Sequence, residues 1–418
     1  LRRVGAALVL LNVRLAAAEL RAQRERVRPR LLLADDARRD VLPGALPVDG
    51  WARRTDEVRE DAPGDPDADW ALLFTSGTTG QPKAARLTVG AFDALARASA
   101  ANLDPHPGDR WLCNLPLFHV GGLGMAIRCA HDGATLVLHP RFDAEAVVAS
   151  VRDEGITHLS LVARTLQECL DAGLRPGRLR GVLVGGGPVP PALVERARAA
   201  GVPVLLTYGL TEACSQVTTE RPGEADGRTA GVPLPGLEVR IEGEEGPIAV
   251  RGPTLMRGYL DDDAATATVL RGGWLHTGDL GRLDGRGRLT VLARRTDLIL
   301  SGGENVYPAE VEAVLAAHPG VAEVAVVARP DARWGQVPVA VVVPRAAASL
   351  EDLRGWARAR LAGFKVPAEV VPVAALPRTA AGKVDRAAVQ ATVTAPRGPC
   401  SFEKTEAPEC TAERMEFK

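Results

Sequence analysis

Long apolar runs are missing from this sequence. No stretch approaches the ~18 consecutive apolar residues that a membrane-spanning helix needs, so we predict no stable membrane insertion. Residues 1–11 combine two arginines with a short apolar run, as the start of a signal peptide does, but no convincing cleavage site follows. We therefore interpret residues 4–11 as a buried strand.

An excess of one charge is also missing. The formal net charge is −1, which gives no electrostatic reason to expect nucleic acid or an anionic membrane as a partner. The six cysteines, at positions 113, 129, 169, 214, 400 and 410, contain no C-x-x-C pair, so their spacing does not indicate a metal site. We expect buried, free thiols in a protein of the reducing cytoplasm.

What the sequence does contain is a regular alternation of apolar strands and helices. Its 418 residues are enough for two or three domains. Up to about residue 230 the alternation is typical of βα units in a parallel sheet, and short strands with Gly and Pro turns follow. We predict an α/β fold with a large N-terminal domain at 1–297, β-rich from about 231, a compact mobile α+β domain at 298–393, and a disordered tail at 394–418.

A stretch rich in glycine and hydroxyl residues follows the apolar run 70–74. It reads Thr75-Ser76-Gly77-Thr78-Thr79-Gly80-Gln81-Pro82-Lys83. Glycines let the backbone approach an anion, hydroxyls donate hydrogen bonds to phosphate oxygens, and a lysine adds positive charge. The order does not match a Walker A loop, because no Gly-Lys-Ser/Thr follows. Taken alone, the stretch is as typical of a surface turn.

A second segment follows the apolar run 204–206 and reads Tyr208-Gly209-Leu210-Thr211-Glu212. Alone it is typical of a helix start with an acidic first turn. Together the two segments resemble the adenylate-forming superfamily, which includes acyl-CoA synthetases, luciferases and the adenylation domains of peptide synthetases. The resemblance implies that the first is a phosphate loop, that Thr211 contacts the α-phosphate of ATP, that Glu212 binds Mg²⁺, and that Tyr208 lies by the adenine.

Further segments resemble motifs of the same superfamily, in the same order along the chain. The turn at Gly185, Gly186, Gly187 and Pro188 implies contact with the adenine and the acyl group. Asp279, in Thr277-Gly278-Asp279, implies binding of the ribose hydroxyls, although an aspartate after glycine is most often a turn residue. Arg295 and Asp297 match an arginine-x-aspartate motif in which the arginine reaches the ribose and the aspartate marks the hinge.

Two segments beyond residue 298 resemble family motifs for the later chemistry. Ser301-Gly302-Gly303-Glu304 resembles the loop that lines the coenzyme A tunnel during thioester formation, and a plain turn is the alternative. Pro377 to Arg386 resembles the final motif, in which Lys383 would be the catalytic lysine. Most lysines are solvated surface groups, but this chain has few lysines and many arginines.

The acyl site is implied by Leu115-Pro116-Leu117-Phe118-His119, where His119 would stand between the acid and the adenylate. A core histidine is the alternative. Within the superfamily, residues 118–123, Arg128 and the Ser215-Gln216 pair resemble the ligases that join o-succinylbenzoate to coenzyme A in menaquinone synthesis. That substrate keeps a second carboxylate, which needs polar or cationic partners when buried. Arg128, Ser215 and Gln216 are the candidates, and each is as readily structural.

The resemblance covers residues 4–393 and implies an ATP-dependent acid–CoA ligase that uses ATP, Mg²⁺ and coenzyme A. Three alternatives stay open: a ligase of medium-chain fatty or other aryl acids, a peptide-synthetase module, and a non-catalytic relic that binds AMP. No carrier domain follows Lys383, which disfavours the module. The family's first segment is not recognised here, which bears on stability more than on chemistry. A homo-oligomer is compatible with the sequence.

Overall fold

Strands and helices alternate along most of the chain. The computed structural model describes residues 5–13, 15, 17–48, 65–75, 82–294, 297–301, 304–331, 334–345, 350–379 and 382–394. The strands are β1 (Leu8–Val9), β2 (Leu33–Ala34), β3 (Leu46–Pro47), β4 (Asp69–Thr75), β5 (Lys83–Thr88), β6 (Arg110–Cys113), β7 (Thr135–Leu138), β8 (His158–Leu161), β9 (Gly181–Val184), β10 (Val204–Leu210), β11 (Ser215–Thr219), β12 (Val232–Pro233), β13 (Glu238–Ile241), β14 (Gly246–Arg251), β15 (Gly258–Tyr259), β16 (Leu270–Arg271), β17 (Trp274–Leu283), β18 (Leu289–Arg294), β19 (Ile299–Ser301), β20 (Glu304–Val306), β21 (Val321–Asp331), β22 (Gly335–Pro344) and β23 (Glu369–Pro372). The helices are α1 (Ala17–Val27), α2 (Asp36–Arg39), α3 (Val89–Leu103), α4 (Val120–Asp132), α5 (Ala144–Asp153), α6 (Ala163–Asp171), α7 (Pro191–Ala199), α8 (Asp263–Val269), α9 (Pro308–Ala316), α10 (Leu350–Arg358) and α11 (Arg386–Thr394).

The middle of the chain forms a seven-stranded sheet in the order β12-β11-β10-β9-β8-β6-β7. The five strands from β7 to β10 in this order are parallel, and β11 and β12 are antiparallel to their neighbours. Buried aliphatic residues such as Leu159 and Val182 lie under helices α5 to α7. Because the strands are parallel, the loops that follow β6, β9 and β10 meet at one edge of the sheet, where ligands of open α/β sheets bind.

Two further sheets contain the strands on either side of the predicted phosphate loop, β4 and β5, and the strands of the β-rich segment. The first has the order β1-β4-β5-β15, and the second has the order β13-β14-β17-β16 with β18 on β17. They share one core, in which Leu73 and Leu87 of the first sheet pack with Ile248 and Leu289 of the second. The sequence predicts only a helix after the phosphate loop. The strand β5 precedes that helix, because alternate residues such as Ala85 and Leu87 face this core.

The C-terminal part forms its own sheet in the order β20-β19-β22-β21, with β23 on β22. One face carries Val311 and Leu315 of α9, and the other carries Val389 of α11. Tyr307 reaches back and donates its hydroxyl to Glu245 Oε2 at 2.9 Å, which links this part to the β-rich segment.

The predicted fold class is confirmed: the protein has a large α/β N-terminal part and a smaller α+β C-terminal part. No described helix is both long and apolar enough to span a bilayer. The predicted buried strand over residues 4–11 is too long and too deeply placed: β1 covers Leu8–Val9, and both residues are half-buried. The domain boundaries remain predictions, and the tail from 395 lies outside the described residues.

Four of the predicted free thiols are confirmed. Cys113, Cys129, Cys169 and Cys214 are buried and unbridged. Burial raises the pKa of Cys129 and of Cys169 to about 12, so these thiols stay protonated and unreactive. Cys400 and Cys410 lie outside the described residues.

A buried polar cluster closes the amino-terminal edge of the parallel sheet, opposite the ligand edge. Arg180 Nη1 donates to both carboxylate oxygens of Asp109, at 3.0 and 2.7 Å. His158 stacks on Trp111 with ring centroids 4.4 Å apart and is 2% exposed. Burial lowers the pKa of His158 to about 4, although the nearby carboxylate of Asp109 opposes the shift. The histidine is therefore held neutral.

Acidification should destabilise the large N-terminal part through His158. Between about pH 6.5 and about pH 4 the unfolded chain binds a proton at this histidine that the folded chain does not, so the free energy of unfolding falls by up to about 3 kcal/mol. Urea unfolding followed by tryptophan fluorescence measures this loss. His158→Gln, which cannot take the proton, should lose less over the same window. Equal losses in both proteins would contradict the assignment.

Candidate functional site

A tight hairpin between β10 and β11 forms the centre of the candidate site. β10 continues through Tyr208, Gly209 and Leu210, so these residues lie inside a strand and not after it. Thr211–Ala213 make one 3₁₀ turn, which corrects the helix start that the segment suggests in isolation. Cys214 and Ser215 then adopt φ angles of 59° and 103°. Such angles are costly for residues with a Cβ, and they cluster at functional sites.

The hairpin depends on a glycine at position 209. The register of β10 and β11 shifts between Tyr208 and Gly209. A Cβ on residue 209 would lie 1.7 Å from the carbonyl oxygen of Ser215, a separation that no side chain can adopt. Gly209 therefore allows the two strands to meet closely enough for Thr211 and Glu212 to occupy the turn.

Tyr208 and Asp279, both predicted near the nucleoside, are in contact. The Tyr208 hydroxyl donates to Asp279 Oδ2 at 2.8 Å. Asp279 lies inside the long strand β17 and not in a turn, which was the alternative to its predicted role. Its amide donates to Thr277 Oγ1 at 3.1 Å, and that hydroxyl donates to the Ile248 carbonyl. The carboxylate is thus held by a residue of β10. The turn at Gly186, Gly187 and Pro188 follows β9, the strand that pairs with β10.

Glu212 and Lys83, predicted at the phosphates, are linked by Tyr259. The Tyr259 hydroxyl donates to Glu212 Oε1 at 2.9 Å, and Lys83 Nζ lies 5.3 Å from the centroid of the Tyr259 ring. Thr75 ends β4 and its hydroxyl contacts the Lys83 carbonyl. Ser76, Gly77, Thr78, Thr79, Gly80 and Gln81 lie outside the described residues.

The donors around Glu212 fit a magnesium ion that is shared with a substrate phosphate. Mg²⁺ prefers one or two carboxylates together with phosphate oxygens and water. Glu212 supplies one carboxylate, and Thr211 supplies a hydroxyl beside it. In the described part of the chain no cluster of three or more His, Cys, Asp or Glu side chains could hold a metal ion.

The residues predicted at the acid surround Gln216 on β11. The Arg128 guanidinium, on α4, donates to Gln216 Oε1, and Ser99 Oγ donates to the same oxygen at 3.0 Å. Arg128 is 2% exposed and lies 4.9 Å from the Trp111 ring centroid. Burial lowers the pKa of Arg128 to about 10, so the group stays charged near neutral pH. Gln216 Nε2 donates to Thr219 Oγ1 at 2.9 Å.

His119 and Ser215 lie at either end of this acyl region. His119 is the half-buried residue that precedes helix α4, and its ring contacts Phe118 edge-on at 4.7 Å between centroids. Its position at the carboxyl end of β6 agrees with the predicted acyl site more than with a core histidine. Ser215 is half-buried and follows the strained turn after Glu212.

The residues predicted for the hinge and the later chemistry belong to the C-terminal sheet or its border. Asp297 Oδ2 lies 3.4 Å from Arg386 Nε. Exposed Lys383 has its backbone fixed in a loop, where its carbonyl accepts from the Thr379 amide at 2.8 Å. Ser301 is buried at the end of β19. Arg295, Gly302 and Gly303, as well as the Glu304 side chain, lie outside the described residues.

Sequence reasoning missed four side chains that hold the predicted ones in place. These are Tyr259, which contacts Glu212, and Ser99, Trp111 and Thr219, which surround Arg128 and Gln216. No local pattern pointed to Tyr259, because its partner Glu212 lies 47 residues away in the sequence. The other three are buried polar or aromatic residues without a distinguishing pattern.

Comparison with known proteins decides the family. The model for "AMP-binding enzyme" matches residues 1–260, and the model for "AMP-binding enzyme C-terminal domain" matches residues 310–383. The chain belongs to the AMP-binding enzyme family. A 2-succinylbenzoate–CoA ligase of Bacillus velezensis is 42% identical over 404 residues, which cover 92% of this chain and 82% of that protein.

Comparison with solved structures agrees with this family. The o-succinylbenzoate CoA synthetase of Bacillus subtilis in complex with its acyl-adenylate intermediate matches with a TM-score of 0.87 at 38% identity, over 95% of this chain and 84% of that one. The same synthetase in complex with ATP and a magnesium ion matches with a TM-score of 0.85 at 39% identity, over 92% and 84% of the two chains.

A Cβ at residue 209 should disrupt the hairpin of this AMP-binding enzyme. Because the added carbon meets backbone, we expect Gly209→Ala to lower the free energy of unfolding by about 3 kcal/mol and to abolish ATP binding. Gly355→Ala is the matched control, since its Cβ meets nothing within 4 Å and lies inside helix α10, where alanine is favoured. Thermal unfolding and ATP titration measure both variants. Normal ATP binding by Gly209→Ala would contradict this account of the turn.

Proposed function

We propose that this protein is an ATP-dependent acid–CoA ligase that converts 2-succinylbenzoate to 2-succinylbenzoyl-CoA in menaquinone synthesis. The observation that carries the proposal is two sets of contacts, from Lys83 through Tyr259 to Glu212 and from Tyr208 to Asp279. They connect motifs that are far apart in the sequence, which supports one nucleotide site, and the contact of Arg128 with Gln216 supports an acid site beside it. Relatives that carry this name align over nine-tenths of the chain.

The reaction takes two steps at this site. In the first, an oxygen of the substrate carboxylate attacks the α-phosphorus of ATP, the bond to the β-phosphate oxygen breaks, and pyrophosphate leaves. Negative charge develops on the α-phosphate oxygens, so donors and cations directed at them lower the barrier. We assign this role to Thr211 and Lys383, with Lys83 and residues 75–80 at the other phosphates. Magnesium bound at Glu212 would neutralise phosphate charge.

In the second step, the sulfur of coenzyme A attacks the acyl carbonyl of the adenylate, the mixed anhydride bond breaks, and AMP leaves with the electron pair. We assign Tyr208, Gly209, Asp279, Arg295 and the turn at 186–188 to AMP, and residues 301–304 to coenzyme A. Lys383 and residues 301–304 lie on the same C-terminal part but serve successive steps. A rotation about Asp297 would present them in turn.

The second carboxylate of the substrate accounts for the polar network at the acyl end. A buried carboxylate is tolerated where a cation and hydrogen-bond donors face it. Arg128 supplies a buried cation whose hydrogen-bond partner, Gln216, is neutral. We assign Arg128, Ser215 and Gln216 to this carboxylate, and His119 to the junction of acid and adenylate.

An acid panel tests the substrate assignment. With ATP, Mg²⁺ and coenzyme A, we expect kcat/KM for 2-succinylbenzoate to exceed that for benzoate and for a medium-chain fatty acid. Arg128→Met, which removes the charge at similar length, should reduce kcat/KM for 2-succinylbenzoate about a hundredfold and for benzoate only slightly. A preference for fatty acids would agree with the acid–CoA ligase reaction but would contradict 2-succinylbenzoate as the substrate. A folded, AMP-binding protein that turns over no acid would be a relic.

Replacement of Lys383 should separate the two half-reactions. Because Lys383 is assigned to the first step, Lys383→Ala should slow acid-dependent exchange of pyrophosphate into ATP by about 10²- to 10³-fold, while thioester formation from added acyl-adenylate continues. Lys365→Ala is the control, since Lys365 is bound to Glu310 at 2.7 Å within the same part. An equal loss in both half-reactions would refute the assignment.

A further inference from the structure

Tyr259 contacts both the phosphate-loop lysine and the acidic residue of the β10–β11 turn. Its hydroxyl donates to Glu212 Oε1 at 2.9 Å, its ring centroid lies 5.3 Å from Lys83 Nζ, and the residue is 7% exposed. Neither partner is near it in sequence. The tyrosine is therefore the one described side chain through which Lys83 and Glu212 are joined.

The local sequence fixes the position of this tyrosine. β15 pairs with β5 so that Tyr259 lies opposite Ala85. The Tyr259 amide donates to Thr266 Oγ1 at 2.9 Å, and that hydroxyl donates to the Asp262 carbonyl at 2.8 Å. At Gly258 the φ angle is 149° and a Cβ would lie 2.8 Å from Thr266 Cγ2, so glycine is required. The ring has little freedom to move.

The backbone of Glu212 is fixed as well. The Glu212 carbonyl accepts a hydrogen bond from the Met256 amide at 2.8 Å, and Glu212 lies in the 3₁₀ turn Thr211–Ala213. Since Met256 and Tyr259 belong to the same segment, this segment holds the glutamate by its main chain and by its side chain. A glutamate has three rotatable side-chain bonds, and one hydrogen bond at Oε1 restricts them.

The donor to Glu212 is neutral. A phenol hydroxyl orients a carboxylate without cancelling its charge, whereas an arginine or lysine would do both. The hydrogen bond that Glu212 Oε1 accepts comes from this phenol. The carboxylate therefore keeps its charge available to a metal ion while one of its oxygens is held in place.

We propose that Tyr259 is a positioning residue that orients Glu212 toward the magnesium ion of bound Mg²⁺–ATP. The inference rests on the proposed role of Glu212 as the metal ligand. Groups that hold a metal ligand by a hydrogen bond typically change metal affinity by about 10- to 100-fold when they are removed. Tyr259 acts through Glu212 and takes no direct part in the reaction.

Calorimetric titration of the full chain with ATP, once with Mg²⁺ and once with EDTA, isolates the contribution of the metal. The dissociation constant in EDTA divided by that in Mg²⁺ should fall about tenfold in Tyr259→Phe, because binding with Mg²⁺ weakens, while the value in EDTA stays unchanged within about twofold. Tyr307→Phe is the matched control, because it removes the same hydroxyl from a contact with Glu245 and should leave the ratio unchanged. Thermal unfolding without ligand verifies that each variant is folded.

Glu212→Gln and the double variant separate the two levels of the argument. Glu212→Gln should lose the contribution of Mg²⁺ to ATP affinity. The double variant Glu212→Gln/Tyr259→Phe should lose no more of that affinity than Glu212→Gln alone. If Glu212→Gln loses the contribution and Tyr259→Phe retains it, the positioning role is overturned while the metal site stands. If Glu212→Gln retains it, both assignments are overturned. A loss in Tyr259→Phe that is equal with Mg²⁺ and with EDTA indicates a structural role and also overturns the inference.

Discussion

The close approach of Gly209 to Ser215 is the constraint on which the site depends. It turns the last parallel strand back on itself at the edge of the sheet where the βα loops end. The residues that we assign to the nucleoside, the phosphate and the acid, 208–216, are thereby brought together in one hairpin. The cost is a pair of residues with positive φ, and the buried residues on either side hold that strain in place.

The charged groups of the site differ from the charged groups of the scaffold in their partners. Asp109 is paired with Arg180, and Arg386 with Glu312, so those charges neutralise one another. At the site, the Glu212 carboxylate is bound by a phenol, and the Arg128 guanidinium by an amide and an aromatic ring. Neutral partners fix the direction of a charge and leave its field for the ligand. Preorganised charge of this kind is what phosphoryl and acyl transfer require.

The fold class could be predicted from the sequence, and so could the motif residues that we assign to the site. The βα units were recognisable because apolar runs such as Gly181–Val184 alternate with helices, and the motif residues around 208–216 follow one another in the chain. The strand β5 escaped prediction because its pairing with β4 is set by a core shared with Ile248, far away in sequence. Tyr259 escaped for the same reason, since only tertiary structure brings it to Glu212. Local patterns identify the candidate ligand-binding residues, and long-range packing determines which side chains hold them.

The contacts near Asp297, between the N-terminal and C-terminal parts, differ in whether a rotation of the C-terminal part would break them. Arg386 joins Asp297 to Glu312 of α9 and to the Val326 carbonyl of β21. Asp297 is therefore anchored to the C-terminal part, and a rotation must occur on its N-terminal side or at its own backbone. The bond between Tyr307 and Glu245 crosses the border instead and lies on an exposed surface. Because a single exposed hydrogen bond contributes little net free energy, this bond by itself would not prevent a rotation.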